Sequence, residues 1–227
     1  MRRPLSARDR LFCLADDALR MLAGGNSGRR ALRAGRPLPL PPPSEAEATL
    51  TGPATPLEQT ARREAAALMR VNHAGEIAAQ GLYHGQSLTA TEPALREHLR
   101  QAAREEGDHL AWCAERLDAL GARPSKLDPL WYAGALTIGA VAGLISDRTS
   151  LGFVVETERQ VEAHLQGHLA RLPPSDRHSR AVLEQMRDDE NAHGAAALQR
   201  GAVALPGPVR GAMRLAGKVM TRLAYWV

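Results

Sequence analysis

The chain has 227 residues, which is long enough to bury a sizeable core in one domain with appendages. Aromatic residues make up only 4% of it while Ala and Leu are abundant, which favours helices over sheets. The two cysteines, Cys13 and Cys113, lie too far apart for a metal-binding spacing, and they argue against a disulfide framework and for a reducing compartment.

The net charge of +4 is unevenly distributed along the chain. Nine arginines and three aspartates give residues 1–43 a charge of +6, and residues 207–227 add +4 without any acid. Residues 44–206 must therefore be acidic, with a charge of −6. Basic flanks around an acidic body favour contact with anionic lipid or with a protein partner. No nucleic-acid-binding motif accompanies the basic residues, so we expect no nucleic-acid partner.

The N-terminal region, residues 1–56, has the composition of a basic arm followed by a linker. Residues 5–23 carry Leu and Ala at helical spacing and predict a short amphipathic helix. Residues 24–56 are rich in Gly, Arg and Pro, with five prolines from Pro37 to Pro43, and predict a linker. The aspartates and the proline cluster fit a mitochondrial presequence poorly, so we interpret this region as a native arm.

Residues 57–206 predict a helical bundle. Apolar residues recur every three to four positions in four long segments, which predict helices over roughly 57–89, 93–120, 150–171 and 176–200. Gly121 provides a stop signal after the second helix, and Pro173 provides one after the third.

Two further segments are apolar or amphipathic. Residues 129–146 contain no charged residue, and their length of 18 lies at the lower edge for a membrane span. We predict a helix packed in the bundle or lying in a membrane interface, in preference to a span that would separate the helices on its two sides. Residues 207–227 predict a basic amphipathic helix, which commonly lies on a membrane or a partner and could also cap the bundle.

Each of the four long helices carries one glutamate within its apolar stripe: Glu76, Glu106, Glu158 and Glu190. The second and fourth helices add a histidine one turn later on the same face, His109 and His193. Buried carboxylates are costly without a counter-charge, and these four stripes contain no Lys or Arg. Two divalent metal ions would neutralise four carboxylates, and oxygen and imidazole ligands without thiolate suit iron or manganese.

The order of these residues supports a paired metal site. Glu76 precedes Glu106 by 30 residues and Glu158 precedes Glu190 by 32, so the chain repeats Glu followed by Glu-x-x-His. This is the known ligand pattern of ferritin-like di-iron bundles. We therefore predict an all-α, ferritin-like four-helix bundle with an extra apolar helix and a C-terminal amphipathic helix. Periodicity leaves the third helix's ligand open, because Glu162 lies only about 40° from Glu158 and one turn further along.

From about residue 60 to residue 227, the sequence resembles the demethoxyubiquinone hydroxylase family. The matching runs are Arg70–Glu76 (RVNHAGE), Tyr83–Gln86 (YHGQ), Glu105–Leu110 (EEGDHL), Pro129–Trp131 (PLW), Glu156–Glu162 (ETERQVE) and Arg187–His193 (RDDENAH). The resemblance implies a ferritin-like di-iron monooxygenase that uses O₂ to hydroxylate the ring of a 2-polyprenyl-3-methyl-6-methoxy-1,4-benzoquinol in ubiquinone biosynthesis. It implies two Fe²⁺ ions, with these ligands: Glu76, Glu106, His109, Glu158 (in preference to Glu162), Glu190 and His193.

The resemblance also implies a peripheral protein on the cytoplasmic side of the cell inner membrane, or alternatively on the matrix side of the mitochondrial inner membrane. Other proteins of ubiquinone biosynthesis are expected as partners. Two alternative interpretations use the same residues: a rubrerythrin- or ferritin-like peroxidase or iron oxidase, and a non-enzymatic, peripheral membrane scaffold that binds quinone. The chain has no nucleotide-binding fingerprint, so we expect electrons from an external donor or through the quinol itself.

Overall fold

A computed structural model describes Asp16 and residues 56–227 of the chain, and the described secondary structure is helical. Six helices follow one another in this part: α1 (Pro56–Thr89), α2 (Pro93–Ala119), α3 (Asp128–Ile145), α4 (Asp147–Arg171), α5 (Arg177–Gln199) and α6 (Gly207–Trp226). The predicted all-α class is confirmed, and the arrangement is consistent with a ferritin-like bundle. The predicted helix over 5–23 and the linker over 24–56 lie outside the described residues, apart from Asp16, which is helical, and Pro56, which begins α1.

The predicted bounds agree closely with the helices except at the start of α4. That helix begins at Asp147, three residues before the predicted start, because Ser146 both ends α3 and caps α4. The Ser146 hydroxyl accepts a hydrogen bond from the Thr149 backbone N–H at 3.0 Å. After α2, the predicted stop at Gly121 is confirmed, since this residue adopts a φ of 70°, which favours glycine.

Four helices, α1, α2, α4 and α5, form the bundle. Helix α1 packs against α2, α4 packs against α5, and contacts between α2 and α5 and between α1 and α4 join the two pairs. One apolar cluster draws on all four helices: Leu68, Met69, Trp112, Leu117, Leu165, Leu183 and Met186. A second does so further along: Tyr83, Leu95, Leu99, Leu151, Val154 and Ala197. Along each helix, the predicted ligand positions lie between the residues of these two clusters.

Helix α3 packs along the outer side of α1 through glycines. A Cβ added at Gly85 of α1 would lie 2.1 Å from the Leu136 carbonyl oxygen, and one added at Gly139 of α3 would lie 2.2 Å from the Leu82 carbonyl oxygen. The two backbones are therefore in direct contact. Within the described residues, α3 is the one helix long and apolar enough to cross a membrane, and 28% of it is buried. Helix α3 thus packs on the bundle, which agrees with the predicted packing. If α3 crossed a membrane, α1, which carries Glu76, would have to enter the membrane too, because the two helices are in direct contact.

Helix α6 covers another part of α1. Its Ala224 is fully buried in a cluster with Val71 and Ala74 of α1. Arg70 donates a hydrogen bond from Nη1 to the Tyr225 carbonyl at 2.9 Å, and the Tyr225 hydroxyl pairs with Glu64. The C-terminal end of α6 is thus anchored on α1, while most of its other side chains are partly or fully exposed.

Candidate metal centre

The six residues predicted as metal ligands meet in the interior of the bundle. Helix α1 contributes Glu76, α2 contributes Glu106 and His109, α4 contributes Glu158, and α5 contributes Glu190 and His193. The four glutamates are each at most 4% exposed, and His109 is 1% exposed. The side chain of His193 is 11% exposed, so the site is closest to solvent at this residue.

The six side chains form two groups that share two carboxylates. Glu76 and His109 belong to one group, Glu158 and His193 belong to the other, and Glu106 and Glu190 belong to both. Within each group, one ligand atom from every residue lies within 4.8 Å of all the others. The arrangement therefore suits two metal ions, one in each group, with Glu106 and Glu190 within reach of both. The order of residues in the sequence could not supply this detail.

Both imidazole rings turn the same nitrogen towards the carboxylates. Nδ1 of His109 lies 3.2 Å from Glu106 Oε2 and 3.4 Å from Glu190 Oε1. Nδ1 of His193 lies 3.2 Å from Glu106 Oε1 and 3.5 Å from Glu190 Oε2. Each histidine can therefore offer the Nδ1 lone pair to a metal ion while its Nε2 points outward.

Several of these ligand atoms are buried without a hydrogen-bond partner. They are Oε2 of Glu76, Oε1 of Glu106, Oε2 of Glu190 and Nδ1 of His193. An unsatisfied polar atom in the interior is costly, and its burial calls for a partner. Four carboxylates and two imidazoles without thiolate are a donor set that suits iron or manganese. The residues present therefore fit a pair of divalent ions of that class.

Burial and the neighbouring charges shift the pKa values of the carboxyl and imidazole groups in the site. Burial raises the pKa of Glu76 and of Glu158 well above the usual range of a carboxyl. Burial acts on Glu106 in the same direction, but the close approach of the His109 and His193 rings outweighs it and holds the pKa of Glu106 below its usual value. Burial alone would lower the pKa of His193, yet Glu106 and Glu190 raise that pKa to about 12. The imidazoles thus supply the positive charge that divalent ions would otherwise supply.

The three glutamates of α4 that could supply the third helix's ligand lie in different surroundings. Glu158 lies inside the cluster, where the Tyr83 hydroxyl donates to its Oε1 at 2.5 Å. Glu162 is partly exposed and accepts a hydrogen bond from Gln166 at 3.0 Å. Glu156 is buried but pairs with Arg159, away from the cluster. The role of Glu158 as a metal ligand remains a prediction, but its position is the only one of the three that reaches the other ligands in the described chain.

Three residues outside the six hold the proposed ligands from behind. Tyr83 lies in the core, and its hydroxyl donates to Glu158. Sequence reasoning missed the other two. Nε2 of His109 lies within hydrogen-bond distance of the Asp189 carboxylate, and Nε2 of His193 lies within hydrogen-bond distance of the Glu105 carboxylate. The signal was present in the sequence, because each of these acids directly precedes a predicted ligand glutamate.

One histidine outside the proposed ligand set is deeply buried. His168 is only 5% exposed, its Nδ1 lies 2.8 Å from Asn72 Oδ1, and its ring packs against His164 with centroids 3.8 Å apart. Burial lowers the pKa of His168 to about 2. His73, one turn before Glu76 on α1, has its Nδ1 3.1 Å from Asp128 Oδ2 at the α1–α3 contact.

The chain is similar over most of its length to proteins of ubiquinone biosynthesis. A model of the family described as ubiquinone biosynthesis protein COQ7 matches residues 63–224. A 3-demethoxyubiquinol 3-hydroxylase of Ralstonia pickettii is 56% identical over 219 residues, which cover 96% of this chain and 98% of the relative. Proteins of the same name from Cupriavidus taiwanensis and Paraburkholderia xenovorans are 56% and 52% identical, with 96% of this chain and 99% of each relative covered.

Proposed function

This chain belongs to the COQ7 family of ubiquinone biosynthesis proteins, as its motifs predicted, and we propose that it is a 3-demethoxyubiquinol 3-hydroxylase that works with two iron ions. The observation that carries the proposal is the convergence of four glutamates and two histidines in two groups that share Glu106 and Glu190. The hydroxylase name of relatives that cover nearly the whole chain supports the reaction.

The proposed ligands are these six residues: Glu76, Glu106, His109, Glu158, Glu190 and His193. When bound, ferrous ions supply the activation of O₂ that amino-acid side chains cannot provide. Glu106 and Glu190 would be available to both ions, and each histidine would complete one group through Nδ1. The Tyr83 hydroxyl holds the Glu158 carboxylate in place.

The surroundings of the centre suit chemistry that must avoid water. Apolar clusters from all four helices lie on both sides of the ligands along the bundle. Such walls keep bulk solvent from the reacting atoms and strengthen the electrostatic interactions inside. The partly exposed side at His193 is the side on which the ligand shell is least covered by protein.

We place the protein peripherally on the cytoplasmic side of the cell inner membrane, and the outer layer of the molecule supports contact with a membrane. Helices α3 and α6 both cover α1 and expose large apolar side chains, which are Leu130, Ile138, Val141, Leu144 and Ile145 on α3, and Leu215, Val219, Leu223 and Trp226 on α6. Arg210, Arg214, Lys218 and Arg222 give α6 the positive charge that anionic lipid attracts. A polyprenyl substrate is itself a membrane molecule, so this position would bring substrate and enzyme together. We include residues 207–227 in this surface, residues 57–206 in the catalytic bundle and residues 1–56 in an N-terminal arm.

The proposal is tested by loading the protein with Fe²⁺ under anaerobic conditions and then adding O₂, with and without a demethoxyubiquinol. We expect about two irons per chain and hydroxylated quinol that forms only when both iron and O₂ are present. Oxidation of iron without hydroxylated product would support the iron-oxidase alternative instead. Binding of quinone by a protein that retains no iron would support the non-enzymatic scaffold.

A further inference from the structure

The two Glu-x-x-His segments are longer repeats than their ligands alone suggest. Residues 101–109 read Gln-Ala-Ala-Arg-Glu-Glu-Gly-Asp-His, and residues 185–193 read Gln-Met-Arg-Asp-Asp-Glu-Asn-Ala-His. Both follow the pattern Gln-x-x-x-acid-Glu-x-x-His over nine positions. The last two fixed positions are the proposed ligands, which leaves the Gln and the first acid without an assigned role.

The first acid of each repeat reaches the histidine of the other repeat. Nε2 of His109 on α2 lies 3.1 Å from Asp189 Oδ2 on α5. Nε2 of His193 on α5 lies 2.8 Å from Glu105 Oε2 on α2. The hydrogen bonds therefore cross between the two helices in both directions.

The glutamine of each repeat holds the acid that crosses. Gln101 Nε2 donates to Glu105 Oε1 at 2.8 Å, and Gln185 Nε2 donates to Asp189 Oδ1 at 3.0 Å. Each acid thus uses one oxygen for the glutamine on its own helix and the other oxygen for the histidine on the opposite helix. The same Gln–acid–His contacts occur twice, once for each repeat. A chance pairing of surface residues is therefore a poor explanation.

We propose that Glu105 and Asp189 are positioning residues that aim His193 and His109 at the metal centre. A neutral imidazole carries one proton, and a carboxylate at Nε2 keeps that proton on the outer nitrogen. The Nδ1 lone pair is then directed at the carboxylates of the centre, and the ring cannot rotate without losing its outer bond. This inference rests on the proposed function, since it requires that the six residues bind metal.

The two crossing contacts differ in their exposure to solvent. The side chain of Asp189 is 22% exposed and that of Glu105 is 47% exposed. Water competes with an exposed hydrogen bond and screens its charge, so Asp189 holds its histidine more firmly than Glu105 does. We therefore expect a larger effect from the loss of Asp189 than from the loss of Glu105.

The test measures metal binding without any turnover. The wild-type full-length protein and its Asp189→Ala, Asp189→Asn, Glu105→Ala and Glu105→Gln variants are titrated with Co²⁺ against a chelator, and the visible spectrum of bound Co²⁺ is recorded. We expect Asp189→Ala to weaken binding of one ion by roughly 10- to 100-fold, because loss of an outer partner of a ligating histidine costs about that much. Glu105→Ala should cause a smaller loss. The amide variants keep an acceptor for the Nε2–H but lose its charge, so they should recover part of the affinity while their Co²⁺ spectrum stays shifted from that of the wild type.

Matched controls come from the same helices. Asp188 on α5 pairs with Arg187 and Glu97 on α2 pairs with Arg104, and both acids are 63% exposed. Asp188→Ala and Glu97→Ala remove the same charge without touching a histidine and should leave the Co²⁺ affinity within about twofold, since exposed pairs contribute little. Should Asp189→Ala fail to fold, the decision rests on Asp189→Asn, which should still shift the Co²⁺ spectrum.

Two outcomes would overturn the inference. Wild-type affinity and spectrum in the folded Asp189 and Glu105 variants would show that the outer acids do not position the rings, and equal losses in the two controls would show a general effect of charge. Failure of the proposed function gives a different result from these two outcomes. In that case the wild-type protein itself would bind no pair of Co²⁺ ions, and the inference would be wrong together with the proposed function.

Discussion

Glu158 is the proposed ligand for which the sequence left an alternative, Glu162, and for which the structure distinguishes the two. Its carboxylate lies in the cluster and receives the Tyr83 hydroxyl, whereas Glu162 pairs with Gln166 one turn away. We expect Glu158→Gln to reduce the iron content from about two to about one per chain and to abolish most hydroxylation. Glu162→Gln changes the same charge on the same helix and should keep both. Metal analysis of the two purified variants decides between them, and normal iron in Glu158→Gln would remove this residue from the ligand set.

His168 gives the molecule a pH dependence that is separate from the metal centre. Burial lowers its pKa from the usual 6.5 to about 2, so it stays neutral in the folded state while it gains a proton in the unfolded state. The stability that the neutral ring supports is present above pH 6.5 and is lost progressively as the pH falls from 6.5 towards 2. At pH 5 this loss is about 2 kcal/mol, at 1.36 kcal/mol for each pH unit below 6.5.

The measurement compares the wild-type protein with His168→Gln, which can still donate to Asn72. Urea unfolding at pH 7.5 and pH 5 should show that the variant gains about 2 kcal/mol relative to the wild type over this interval. The ligand carboxylates titrate in both proteins, so their contribution cancels in the difference. A difference in unfolding free energy that stays constant with pH would contradict the assignment.

At the scale of single residues, periodicity predicted which side chains face the interior but not which residues they contact. The stripe that contains Glu106 and His109 was readable because a helix repeats every 3.6 residues. The choice between Glu158 and Glu162 was not readable from that repeat, because both point within about 40° of the same direction. The crossing bonds of Asp189 and Glu105 depend on the spacing between α2 and α5, which no single helix encodes.

At the scale of elements, the contact between α1 and α3 depends on glycine. A Cβ at Gly139 would lie 2.2 Å from the Leu82 carbonyl oxygen and 3.1 Å from the Gln86 backbone nitrogen, neither of which can move without moving α1. We expect Gly139→Ala to destabilise the fold by about 1–3 kcal/mol through overpacking. Urea unfolding at neutral pH measures this change.

Gly134 of α3 is the matched control for this prediction. A Cβ added there meets no atom within 4 Å, so Gly134→Ala should stabilise the helix by about 0.5–1 kcal/mol through its better helix propensity. The two substitutions are chemically identical and differ only in what faces the new methyl group. Equal effects at both positions would mean that α3 does not pack on α1 as closely as described.

The elements themselves were largely predictable, and the exceptions have physical causes. Apolar periodicity gave the four bundle helices, and proline and glycine gave their ends. The early start of α4 followed from the Ser146 cap, which a periodicity argument does not register. The packing of α3 against α1 required knowing that glycines on two helices face each other, which the apolar composition of residues 129–146 does not indicate.

At the scale of the whole molecule, the proposed membrane surface is formed by two helices that share α1 as their support. Leu144 of α3 is 75% exposed and Leu215 of α6 is 65% exposed. We expect Leu144→Glu and Leu215→Glu each to weaken binding to vesicles that contain anionic lipid by roughly tenfold or more. In each variant a charge replaces apolar area that the membrane would otherwise bury. Vesicle flotation at low and high salt measures this, and salt should weaken the wild-type interaction through the cations of α6.

Leu198 of α5 is the control for the membrane surface. It is 59% exposed, so Leu198→Glu introduces the same change on a helix outside the proposed surface and should bind vesicles like the wild type. An equal loss of binding in all three variants would argue that exposed apolar residues act without regard to position. Unchanged binding in the α3 and α6 variants would place the membrane contact elsewhere.

The proposed activity is the transfer of oxygen from O₂ to the quinol ring at the buried carboxylate and histidine centre. The most direct measurement supplies the iron-loaded protein with a demethoxyubiquinol, a reductant and ¹⁸O₂ in ordinary water, and analyses the product by mass spectrometry. We predict one ¹⁸O atom in the new hydroxyl group, formed by the wild-type protein and absent with Glu106→Ala. Product whose new oxygen comes from water, or oxidised iron with no hydroxylated product, would contradict it.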